Sequence, residues 1–202
     1  MNKNLFDALR SVFFDLNDND LIENISSILA YVLENNKITT RIILNLSDKN
    51  YEDVLFILFE KRLLIPENSY RGLEWQECRF SLDMDQTYRM PIIIKNLVKF
   101  SMKSGIWNLE EAILHTFIKI GDKNYKKMPI LVHKLYEKSK NYRIKGKRIR
   151  EICMDLGLEE RTSALISELK GVGIMSPELS RSLFSSLKEK TPIYELNPSL
   201  YQ

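Results

Sequence analysis

Apolar residues that return every three or four positions along most of the chain confine it to a fold built mainly of helices. Leu5, Phe6, Leu9, Phe13 and Leu16 trace one stripe, and Ile22, Ile25, Ile28, Leu29 and Val32 trace the next. Asn17–Asp20 separates the two and offers a helix cap, and Asn35–Asn36 ends the second. Only 7 glycines and 6 prolines punctuate 202 residues, too few for the many tight turns of an all-β chain. A chain of this length buries a real core and holds one or two domains.

The pattern predicts helices near 4–15, 21–33, 40–46, 51–61, 91–102, 109–120, 129–138, 147–156 and 159–170. Asn108 has the chemistry of an N-cap, with Glu110 and Glu111 in the favourable first turn. Gly105, Gly121 and the Gly171–Val172–Gly173 segment close helices. Short strands are predicted at 63–65, 72–76, 79–82, 174–175 and 191–196. Ser176–Pro177–Glu178 reads as a helix start, with the helix running to Leu187. The expected fold is mainly α with small β wings. It comprises an N-terminal helix (1–16), a first unit (17–85), a helical bridge (86–122) and a second unit (123–202).

Charge divides the chain more sharply than its net +3 implies. Residues 1–85 hold 9 Lys/Arg against 15 Asp/Glu, whereas residues 123–150 hold 11 Lys/Arg against one acid, Glu137. A surface of solvated charge normally mixes both signs. Eleven cations around one anion point to nucleic acid, with a solvated or acidic-protein-binding surface as the alternative, and Tyr125, Tyr136 and Tyr142 among them are candidates to contact sugars or bases. The acidic first unit repels phosphate. Its Val54–Phe59 run, six apolar residues in a row, is expected either in its own core or at a contact with a second copy of the chain.

The segment RIREICMDLGLEERTSALISELKGVGI resembles the helix-turn-helix core of the winged helix superfamily. Ile149, Ile152 and Leu156 would form the inner face of the first helix, with Cys153 where two helices cross closely. Gly157 would hold the turn and Leu158 would plug it into the core. Leu165, Leu169 and Val172 would continue the inner face, and IYELNPSL resembles a final wing strand with Tyr194 and Leu196 on alternate faces. The order of elements in residues 17–85 resembles a second such unit. The resemblance implies a fold of tandem winged helix units and a DNA-binding protein acting in transcription or chromatin, read by a homodimer. The alternative is a winged helix adaptor that joins proteins and does not touch DNA. The residues expected at nucleic acid are Lys140, Arg143, Lys145, Lys147, Arg148 and Arg150 on phosphates. Arg161, Thr162 and Ser163 are expected at the reading helix. Glu159 and Glu160 at its start and the short Ser163, Ala164 and Ser167 along it predict weak discrimination between base sequences.

Other functions find little in the sequence. There is no phosphate-binding loop, dinucleotide fingerprint or serine-hydrolase elbow, and no nucleophile and base stand together. No enzymatic activity and no cofactor are expected. His115 and His133 lack a partner at ligand spacing, so no metal site is expected. Cys78 and Cys153 are read as reduced, buried thiols. The apolar N-terminal stretch is interrupted by Asp7, Arg10 and Asp15, and no run of 18 apolar residues occurs. No membrane span is therefore expected, and the expected location is the cytoplasm.

Overall fold

A computed structural model describes residues 2–13, 16, 18–47, 50–67, 75, 78, 80–178 and 191–200. Among these residues the fold is mainly helical, with two small antiparallel sheets of three strands each. Helix α1 (Lys3–Val12) leads into a first unit. That unit contains α2 (Asn19–Asn35), β1 (Lys37–Thr39), α3 (Thr40–Ser47), α4 (Tyr51–Glu60), β2 (Ile65–Pro66) and β3 (Thr87–Arg89). Helices α5 (Ile92–Ser104) and α6 (Leu109–Lys119) follow. A second unit then repeats the order with α7 (Met128–Glu137), β4 (Arg143–Lys145), α8 (Gly146–Asp155), α9 (Thr162–Val172), β5 (Met175–Pro177) and β6 (Ile193–Leu196). The sheets repeat too: β1-β3-β2 in the first unit and β4-β6-β5 in the second, with the last strand central in each.

Local chemistry accounts for the helix ends. The Asp18 carboxylate accepts from the amides of Asp20 and Leu21 at 2.9 and 3.3 Å and starts α2. Asn108 caps α6 by accepting from the Glu111 amide at 3.0 Å. Helix α9 begins after a 3-10 turn at Glu159–Arg161 rather than at Glu159 itself, and ends at Gly173 in the left-handed region, φ 86°.

Three strands escaped prediction. β1, β3 and β4 are three residues each, too short to show an alternating pattern, and each carries polar residues. The strand expected at 72–76 lies largely outside the described residues. Of that expected at 79–82, the described residues 80–82 form no strand. Ser176 and Pro177 belong to β5 rather than to a helix start. Among the described residues β5 pairs only with β6, and an edge strand tolerates a proline. The helix expected beyond Glu178 lies outside the described residues. Tyr194 and Leu196, expected on alternate faces, are both buried on the core face, as positions two apart in a strand must be.

One continuous core joins the elements from Leu5 to Leu200. Ile149, Ile152, Cys153, Leu158, Leu165, Leu169 and Val172 are all buried in it, while Leu156 is only partly so. The Val54–Phe59 run is mostly core: Val54, Leu55, Leu58 and Phe59 are buried, and Phe56 is 51% exposed, stacked edge-on against Phe80. Both cysteines are free and buried.

Asn197, fully buried, ties the two units together. Its amide nitrogen donates to the carbonyls of Gly173 at 3.1 Å and of Arg62 at 3.3 Å. Its side-chain oxygen accepts from the Ser199 amide and hydroxyl, at 3.1 and 2.8 Å. Its own carbonyl accepts from the Tyr136 hydroxyl at 2.7 Å. Arg62, at φ 54°, donates to Glu195 at 3.1 Å, a second link between the units. Replacing Asn197 by alanine strands the buried Gly173 carbonyl and the half-buried Arg62 carbonyl and should cost about 3 kcal/mol in urea unfolding, since each missing partner costs about 1–3 kcal/mol. A destabilisation below about 1 kcal/mol would show that the link is not structural.

Candidate nucleic-acid interface

The basic segment is built around a tight hairpin turn and the start of α8. Lys140 and Arg143 exchange backbone hydrogen bonds at 2.9 and 3.0 Å, and the central residues Asn141 and Tyr142 have φ 51° and 57°. Positive φ at both central positions is the signature of a type I′ turn. Bulky side chains rarely adopt it. Tyr142 is 41% exposed at this turn.

Strand β4 then delivers the chain to α8. Gly146 donates to the Pro192 carbonyl at 2.7 Å, and a Cβ there would stand 3.0 Å from the Pro192 ring. The missing side chain lets the approach to β6 lie against the helix start. The inner face of α8 is spent on Ile149, Ile152 and Cys153, which turns Lys147, Arg148 and Arg150 outward. The helix has no side-chain cap and no acid in its first turn. Cations at the positive end of a helix dipole are unfavourable on their own, and a phosphate there relieves both the charge and the open amides.

Lys147, Arg150, Thr162 and Ser163 line one groove of about 510 Å³ between α8 and α9, closed at one side by Thr191 and Pro192. Sequence reasoning missed Met154 and Ile166 in its walls, and also the acid Glu151, whereas Glu159, expected at the start of the reading helix, is in the lining too. Met154, 55% exposed, carried a signal: an apolar residue off the inner stripe of α8. The outward positions of α9, Ser163, Ala164 and Ser167, are exposed and small.

The remaining expected residues are partly engaged elsewhere. Arg148 pairs with Glu151 at 2.6 Å on the helix surface, and Arg143 pairs with the buried Glu178 at 3.1 Å. Lys140 and Lys145 are exposed on the hairpin, away from the groove lining. The Thr162 hydroxyl donates to the Glu159 carbonyl at 2.7 Å. Tyr136 is buried and holds Asn197, so it does not reach sugars or bases. Lys127 donates to the Leu156 carbonyl at 2.8 Å and closes the end of α8.

Arg161, partly exposed, is tied into the fold by two acids. Its guanidinium donates to Asp122, whose side chain is fully buried, at 2.6 Å, and to Glu168 at 2.9 Å. Asp122 follows α6, so the pair pins the start of α9 to the helical bridge. Arg161 thus has a structural task that its position before the reading helix did not reveal. Burial raises the Glu168 carboxyl above its ordinary range; the guanidinium of Arg161 opposes this and the charge of Asp122 adds to it.

A family model described simply as a family, with no activity attached, matches residues 3–202, and the chain belongs to that family. No curated protein and no solved structure matches the chain. Among the described residues no helix is long and apolar enough to cross a membrane. Among the same residues no three His, Cys, Asp or Glu side chains are grouped to hold a metal ion.

Two outcomes follow from the Asp122–Arg161–Glu168 cluster. Arg161→Ala leaves a buried carboxylate unpaired and should lower stability by about 2–3 kcal/mol, far more than Lys147→Ala or Arg150→Ala. Equal, small effects for all three in urea melts would make Arg161 an ordinary surface residue. A carboxyl that holds its proton more tightly folded than unfolded stabilises the fold at low pH, and that stabilisation disappears as pH rises through its raised pKa. The stability of the native protein relative to Glu168→Gln should therefore fall as pH rises from about 4 to about 7. A constant difference across that range would contradict the raised value.

Proposed function

We propose that this chain is a DNA-binding protein, a regulator of transcription or chromatin, built as tandem winged helix units. In this reading it grips the duplex backbone through the basic side of its second unit. The observation that carries the proposal is the start of α8: an uncapped helix end with Lys147, Arg148 and Arg150 turned outward beside the α8–α9 groove. Lys140, Arg143 and Lys145 extend the positive surface along the hairpin, and Tyr142 offers a ring beside it. The repeated element order and sheet order support the winged helix reading. Base discrimination is weak in this account, because α9 presents short side chains and Arg161 is spent within the fold. A second copy would dock through the exposed Phe56 and its stacked partner Phe80, placing two basic surfaces on one duplex.

A protein adaptor is the second reading. It is favoured by the acids Glu151 and Glu159, which share the groove with the cations, and by the exposed Met154 beside them.

Fluorescence anisotropy with a random duplex separates the two. Affinity should fall steeply between about 50 and about 200 mM salt, as expected when bound phosphates release counterions. The triple variant Lys145→Ala, Lys147→Ala, Arg150→Ala should bind more weakly at low salt. Its dependence of log affinity on log salt should be shallower by about 0.9 for each phosphate that the variant no longer neutralises. No retention of any duplex at low salt would leave the adaptor reading standing.

A further inference from the structure

A second cavity, of about 310 Å³, lies where the first sheet, the start of α5 and the end of α9 meet. That is the size of a small-molecule site. We infer that it binds a small organic anion, a carboxylate carried on an apolar body.

The cations come first. Lys37 and Arg89 stand directly opposite each other on β1 and β3, so their side chains leave the sheet on the same face. Like charges in that position repel unless an anion lies between them. Arg89 lines the cavity and is only partly exposed, and its Nε has no hydrogen-bond partner among the described residues. A carboxylate bound in the cavity would pair with the charge of the guanidinium through the part of Arg89 that faces the space. Lys95 reaches the same cavity and is steered by the Asn36 side chain, at 3.2 Å from its ammonium. Among the described residues Glu67 is the one acid in the lining, and it is exposed. Helix α5 adds its positive end: Pro91 and Ile92 line the cavity, and the helix has neither a side-chain cap nor an acid in its first turn.

The walls determine what carries the charge. Trp75 and Met90 are buried at the cavity, and Ile65 stands beside Arg89 on the neighbouring strand. A bare phosphate would leave these surfaces uncovered, whereas a carboxylate on a ring or short chain would cover them. The backbone keeps the space open. Gly171 lines it with nothing within 4 Å of where a side chain would begin, and a Cβ at Gly173 would lie 2.5 Å from Pro91. The end of α9 and the start of α5 therefore touch closely at Gly173 while leaving room beside Gly171. The site does not depend on the DNA-binding reading, and its test uses no nucleic acid.

The full chain is titrated with benzoate, benzyl alcohol and inorganic phosphate while the Trp75 indole resonance and the unfolding temperature are followed. Benzoate should shift the resonance and raise the unfolding temperature with concentration, because a ligand that binds only the folded state stabilises it. Benzyl alcohol and phosphate should do neither. Arg89→Gln should abolish the benzoate response, and the exposed Lys37→Gln should weaken it about tenfold, the effect of removing one charge-assisted hydrogen bond. Should Arg89→Gln fail to fold, Lys37→Gln and Lys95→Gln carry the test alone. The proposal is overturned if phosphate acts as strongly as benzoate, if benzoate acts equally on the variants, or if no probe acts at all.

Discussion

A single buried amide, that of Asn197, sets the relation between the two halves of the molecule. An unpaired polar group at that depth would be expensive, so every hydrogen bond it makes is also a demand on its neighbours. The Arg62 carbonyl must present itself from the turn after α4, which it does with φ 54°, and the Gly173 carbonyl must present itself from the end of α9. Tyr136 brings α7 to the same point, and burial there pushes its hydroxyl pKa well above the ordinary tyrosine range. Through its side-chain amide and its main-chain carbonyl, Asn197 thus joins the first unit, α7 and the end of α9. The Arg62–Glu195 ion pair, sheltered from solvent on both sides, reinforces the same seam.

From this seam the candidate surfaces follow. Strand β6 leads directly to Asn197, and pairing with β4 carries that placement to the start of α8. Helix α9 is held at both ends, by Gly173 near Asn197 and by Arg161 against Asp122. The groove between α8 and α9 is consequently a rigid feature, and the cations on its rim are displayed by packed elements. The cations of the second unit divide between two tasks. Lys127 and Arg161 hold the frame, while Lys147 and Arg150 face outward over the groove. The inter-unit cavity is the other product of the seam: close approach at Gly173 fixes α9 against the start of α5, and bare Gly171 leaves the space beside it.

Much of the helical frame was legible because a 3.6-residue period survives in long amphipathic stretches, and cap residues such as Asp18 and Asn108 mark where they begin. The three-residue strands were not, since a run that short cannot display alternation. Arg161 looked like a reading residue because its acids are remote or ambiguous in sequence: Asp122 lies 39 positions upstream. Tyr136 was read with its basic neighbours, although Leu131, Val132 and Leu135 beside it marked the inner face of α7. The second cavity draws its lining from several elements spread over the chain, and no local motif could have announced it.

The central claim is that the second unit's basic side, centred on the start of α8, is where this chain meets a polyanion. The most direct measurement is backbone amide chemical-shift mapping of the full chain against a random duplex at low salt. The account predicts perturbations at residues 140–150 and along the α8–α9 groove at residues 162–166, reversed by added salt, with α2–α4 unaffected. Perturbations confined to the first unit, or none at all, would contradict it.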